Sequence, residues 1–168
     1  MILGSHFFAA PATELAPMLI GKLLCRRTGG TVYRLRITET ECYFGEEDTA
    51  CHAHKGCTPR TETLYAAGGI AYVYLCYGMH SLLNIVTGKQ GHPEAVLIRG
   101  VEGISGPGRL TKALGITVAE NRLPLLKKNG LWVEDDGPPV PEPIATPRIG
   151  IDYAEREDRE RLWRFLAK

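Results

Sequence analysis

The chain has 168 residues, of which 44% are hydrophobic and 23% charged, and its net charge is +1. That length suits one domain, residues 1–168, able to bury about 70% of its unfolded surface without disulfide or metal staples. No apolar run approaches the roughly 20 residues of a membrane span, and the near-neutral balance excludes a strongly basic nucleic-acid coat.

The opening residues Met1–His6 lack the basic and long apolar segments of a secretory signal, so the cytoplasm is the expected compartment. Residues 11–22 read as a helix opened by Pro11 and kinked by Pro17. Residues 23–27 read as a strand, Gly29-Gly30 as a turn, and 33–43 as a second strand with Tyr33, Leu35 and Ile37 on one face. Residues 44–61 form a long irregular segment of the kind that often carries function. One or two helical turns follow Pro59. Residues 71–77 and 81–87 read as neighbouring strands joined through Gly78-Met79-His80, and 94–102 continues the sheet. Residues 107–114 suit a short helix stopped by Gly115. Strands are expected at 131–134 and 144–150, on either side of a polyproline-like loop at 137–143. In the tail, 154–161 is helix-permissive and 162–166 is open between helix and strand. Hairpin-like strands without βαβ alternation argue for an antiparallel α+β architecture.

Five cysteines, an odd number, argue against a disulfide framework, and Cys25, Cys42 and Cys76 are expected to be buried thiols. Cys51, His52, His54 and Cys57, beside Glu46, Glu47 and Asp48, are ligand types that zinc accepts. Their spacing matches no zinc or calcium motif, and no metal is expected. Gly103–Gly108 precedes a helix carrying Arg109 and Lys112, which makes it either a phosphate cradle or a plain helix start. Glu39 and Glu41 fall on one face of a strand, where one base with one structural acid is a better fit than two carboxylates flanking a bond. Tyr72 and Tyr74 share a strand face, and Tyr77 falls at the exposed tip beside Gly78. Such rings stack on nucleobases or wedge into a base stack; core and rim aromatics are the alternative.

Taken in order, several segments resemble the alkyladenine (3-methyladenine, methylpurine) DNA glycosylase family. They are 36–43 (RITETECY), 47–52 (EDTACH), 58–60 (TPR), 72–80 (YVYLCYGMH), 83–85 (LNI), 95–99 (AVLIR), 106–110 (GPGRL) and 148–151 (RIGI). The resemblance implies a curved antiparallel β-sheet with a protruding β-hairpin and short surrounding helices, like a formyltransferase C-terminal domain. It implies a monofunctional, cofactor-free and metal-free glycosylase, a monomer acting on double-stranded DNA that contains damaged purines. In this likeness Glu41 is the general base, held ionised by Arg99. Tyr43, His52 and Tyr74 clasp the flipped base, Asn84 excludes guanine, Tyr77 and Met79 enter the duplex, and Arg60, Arg109 and Lys112 meet the backbone. Alkylated purines are the implied substrates, with hypoxanthine and etheno-adenine as further candidates. The chain departs from many relatives in the short connector after Arg99 and in His80, where tyrosine is common. A damage sensor without chemistry, a metal-dependent hydrolase and an inactive formyltransferase-like domain are the competing readings. For the last of these, fold likeness alone carries no function.

Overall fold

The computed structural model describes residues 1–168. Nine strands, all paired antiparallel, form one continuous sheet. They are β1 (Leu23–Thr28), β2 (Thr31–Phe44), β3 (Ala71–Cys76), β4 (His80–Val86), β5 (Glu94–Val101), β6 (Ile104–Ser105), β7 (Leu131–Glu134), β8 (Ile144–Thr146) and β9 (Arg164–Leu166). The main order is β3-β4-β5-β2-β1-β7, with β6 hairpinned onto β5 and the β8–β9 pair attached to β2.

The 14-residue β2 is long enough to serve two sets of partners. Its first half pairs with β1 from Thr31↔Thr28 to Arg36↔Leu23, through the Gly29-Gly30 turn. Its second half pairs with β5 on one edge, and Glu39–Glu41 pairs with β9 on the other. Alternation then sorts the second half by face. Thr40 and Cys42 are buried on the core side, where the Thr40 hydroxyl donates to the Ala16 carbonyl at 2.7 Å. Glu39, Glu41 and Tyr43 fall on the opposite side.

Helix α2 (Ala12–Leu19; α1 is the short Ser5–Phe8) packs on the core face through Ala12, Leu15, Ala16 and Leu19. Its free N-terminal amide at Ala12 donates to Glu94 Oε1 at 2.7 Å, so a buried carboxylate from β5 caps it. Helix α3 (Pro107–Leu114) covers β4 and β5 with Leu110 and Leu114, and ends at left-handed Gly115 (φ 61°). Helices α2 and α3 both contribute to the main core, which contains Cys42 and lies opposite Glu39, Glu41 and Tyr43.

The structure corrects several expectations. Helix α2 stops at Leu19 because Ile20 turns extended and Gly21 takes φ 84°. The strand expected over 144–150 ends at Thr146, where Pro147 lacks a ladder N–H and Arg148 turns into the interior. The tail is both helix and strand: α4 (Arg156–Glu160), then β9. Cys76 is only half-buried, because it sits at the hairpin end of β3; Cys51 is buried instead, with Cys25 and Cys42. Burial pushes the Cys25 and Cys51 thiols up to about 12. No helix is long and apolar enough to cross a membrane.

Candidate active site

The face of β2 and β5 opposite the main core gathers two carboxylates, Glu39 and Glu41, around the Arg99 guanidinium. The β2–β5 register shifts twice here: Ile37 pairs with Val101, Glu39 with Gly100, and Thr40 with Ile98. Arg99 is therefore the extra residue of a β-bulge on β5, a device common beside active sites. A Cβ at Gly100 would meet Thr38 Oγ1 at 3.0 Å, so glycine suits this close approach of the two strands. From the bulge Arg99 spans both acids. Its Nε donates to Glu39 Oε1 at 2.9 Å and its Nη1 to Glu41 Oε1 at 3.1 Å.

Glu41 is wholly buried. Its Oε2 accepts the Ile149 N–H at 2.9 Å, and the Tyr43 hydroxyl lies 3.5 Å from Oε1. Burial raises its pKa above the usual carboxylate value, and the opposing pulls of Arg99, the Ile149 amide and Arg148 do not cancel it. The Arg99 guanidinium favours the ionised form expected of Glu41, and desolvation opposes it.

Beside the carboxylates lies an aromatic niche of about 40 Å³, walled by Tyr43, His52, Tyr72, Tyr74, Asn84 and Tyr153. It opens into a cleft of about 920 Å³ whose sides include Tyr43, Tyr77, Arg99, Arg109 and Ile149. His52 and Tyr74 touch edge to face at 4.4 Å, so they make one wall rather than two. The Tyr72 hydroxyl bonds His52 Nδ1 at 3.0 Å and holds that ring. Burial, aided by the charges of Arg60 and Lys55, lowers the His52 pKa to about 4, which leaves the ring neutral at pH 7. Burial also raises the phenols of Tyr43 and Tyr74, which stay un-ionised. Asn84 is buried, with its Nδ2 donating to the Tyr72 carbonyl at 3.2 Å.

Tyr77 stands at the tip of the β3–β4 hairpin, 92% exposed, next to Met79 at 77%. Positive φ at both Tyr77 (52°) and Gly78 (65°), with Met79 N–H donating to the Cys76 carbonyl at 3.1 Å, marks a tight turn of the primed type. Left-handed backbone at a tyrosine is strained by about 1–3 kcal/mol. Arg60, Arg109 and Lys112 are exposed along the same cleft, with Arg60 over the Tyr74 ring at 5.7 Å.

All eleven residues singled out from sequence thus border one cleft and its niche or, for Glu41 and Met79, adjoin them. Three contributors were not foreseen. The Ile149 amide is a backbone donor and leaves no trace in residue type. Tyr153 borders both niche and cleft, and its hydroxyl donates to the Ala50 carbonyl at 2.9 Å. Arg148 lies against Tyr43 at 4.9 Å and forms a fully buried two-point ion pair with Asp48. The Arg-Ile-Gly-Ile segment was the available signal for the first and third. Cys51, His52, His54 and Cys57 do not converge: His54 Nδ1 is bonded to the Glu46 carbonyl, and no three potential ligands come together in the chain.

Comparison with known proteins is consistent along the whole length. A family model described as methylpurine-DNA glycosylase matches residues 6–106 and 102–168. A relative from Myxococcus xanthus is 47% identical over 96% of this chain and 89% of its own length. One from Methanocella arvoryzae is 44% identical over 99% and 92%. Both are provisionally named 3-methyladenine DNA glycosylases. A third, from Arabidopsis thaliana, is named DNA-3-methyladenine glycosylase and is 42% identical over 95% of this chain and 69% of its own.

Proposed function

The chain belongs to the methylpurine-DNA glycosylase family, and we propose that it excises alkylated purines from double-stranded DNA by hydrolysing the N-glycosidic bond. The observation that carries this reading is Glu41, clamped between Arg99 and the Ile149 amide beside a niche of neutral aromatic rings.

In this reading Tyr77, with Met79 beside it, enters the duplex and fills the place of a nucleotide turned out of the stack. Extrusion costs a few kcal/mol, least at a damaged base, and the wedge offsets part of it. The niche as it stands holds only a few waters, so the base enters as the rings at its mouth part. The purine then lies with the His52–Tyr74 wall on one side and Tyr43 on the other. Each stacked face is worth about 1–3 kcal/mol. Uncharged, electron-rich rings favour a cationic purine, and a His52 neutral at pH 7 avoids repelling it. Asn84 lines the wall where it would meet an exocyclic amino group. Arg60, Arg109 and Lys112 meet backbone phosphates.

For the chemistry, Glu41 takes a proton from water as the water oxygen bonds to C1′. The C1′–N9 bond breaks and the purine leaves with its electron pair. A cationic purine departs neutral and needs no added proton; hypoxanthine and etheno-adenine, if accepted, must draw a proton from solvent. The carboxylate charge also steadies the positive sugar in the transition state. No lysine lines the niche, which supports water rather than an amine as nucleophile and an abasic site as product.

The test is single-turnover base release from duplexes carrying 3-methyladenine, 7-methylguanine, hypoxanthine or etheno-adenine. Glu41→Gln is expected to slow release about 10²–10⁴-fold on the preferred lesion. Full activity in this variant would remove Glu41 from the mechanism.

A further inference from the structure

We propose, resting on the roles given above to Glu41 and Arg99, that Glu39 and Arg164 are positioning residues which set how firmly Arg99 holds the Glu41 carboxylate. The Glu39 Oε1 atom accepts two guanidiniums at once: Arg99 Nε at 2.9 Å and Arg164 Nε at 2.6 Å. Arg99 continues to Glu41 at 3.1 Å. The result is a chain of alternating charge, Arg164–Glu39–Arg99–Glu41, with two cations and two anions. All four groups are shielded, with side-chain exposures of 19, 11, 16 and 0%.

One arginine set between two carboxylates is divided between them. Arg164 supplies the missing second cation. It does so from β9, whose pairing with Glu39–Glu41 brings it to this edge of β2, and the Thr146 hydroxyl steadies its Nη1 at 3.2 Å. Other ionisable groups near Glu41 are Arg148, which is committed to Asp48, and the phenols of Tyr43, Tyr74 and Tyr153. None of these balances Glu39.

Charge counting then gives opposite effects for the two partners. Without Arg164 the cluster carries one net negative charge, and ionising Glu41 becomes harder. Without Glu39 it carries one net positive charge, and ionising Glu41 becomes easier. Removing both restores balance. A residue that merely supported the fold would not produce shifts of opposite sign.

The experiment is the pH–rate profile, at fixed salt, of 7-methylguanine release from a duplex under single turnover. That purine leaves without protonation, so the acid limb reports the base alone. Arg164→Met is expected to move the limb to higher pH, slowing release on the limb about threefold relative to its own plateau. Glu39→Gln is expected to move it to lower pH by a similar factor, the double variant to lie near wild type, and Arg164→Lys to keep the wild-type limb. Circular dichroism checks folding; should Arg164→Met fail to fold, the Glu39→Gln and Arg164→Lys pair decides. Limbs that move in the same direction, or rates lowered equally at every pH, would overturn the proposal. Glu41→Gln separates the two levels. If that variant excises normally, the general-base reading falls. If it is inactive and the limbs of the other variants stay fixed, only the roles of Glu39 and Arg164 fall.

Discussion

Glu41 is buried, held by one guanidinium, one amide and a more distant second arginine. Its folded pKa lies above the unfolded value of about 4.3. A carboxyl of this kind binds its proton more tightly in the fold, so its contribution to stability is full below the unfolded pKa. That contribution is lost as pH rises through the folded pKa. Glutamine at position 41 has no such dependence. The melting temperature of Glu41→Gln minus that of wild type, followed by calorimetry, is therefore expected to rise from pH 4.5 to 7.5. A flat or falling difference would mean that burial does not dominate at this carboxylate. The same buried charge that costs stability supplies the base, a trade common at active sites.

Among the elements, the β3–β4 hairpin separates binding from folding most cleanly. The alternation of Tyr72, Tyr74 and the turn at Gly78 could be read in the sequence; the left-handed Tyr77 could not, since residue type argues against it. Because the ring is 92% exposed, Tyr77→Ala is expected to leave the unfolding free energy from denaturant titration within about 0.5 kcal/mol of wild type while slowing excision at least tenfold. Extrusion followed by a fluorescent etheno base should drop in parallel, and unchanged extrusion would remove the wedge role. Legibility elsewhere followed the range of the signal. Helix α3, with Pro107 inside its start and Gly115 past its end, and strand β7 were found to the residue, because their signals are local. The four-residue α1 and the early end of β8 depend on packing and on Pro147 beside a buried arginine. The bulge that frees Arg99 is a property of two strands together and is invisible in either alone.

At the scale of the molecule, Asp48 and Arg148 tie the loop after β2 to the segment after β8. Asp48 also accepts the Phe44 and Ala50 amides, and Arg148 reaches the Cys42 and Asp158 carbonyls. Both side chains are essentially without exposure, so breaking the pair leaves a bare charge inside the protein. Asp48→Asn is expected to lower unfolding free energy by about 3–5 kcal/mol, read by urea titration, and to weaken lesion binding, because Arg148 backs Tyr43. A loss under 1 kcal/mol would show that the pair is dispensable. The Gly137–Pro143 loop lies apart from this network and borders a shallow depression with Met18 and Lys22. The burial of Cys51 has a chemical corollary. Electrophiles that methylate purines also methylate sulfur, and they do so through the thiolate. With its proton held to a pKa of about 12, the buried Cys51 thiol stays protonated at pH 7, whereas a free cysteine is a few per cent thiolate. The one thiol in the niche lining is thus masked from the reagents whose damage the niche would receive.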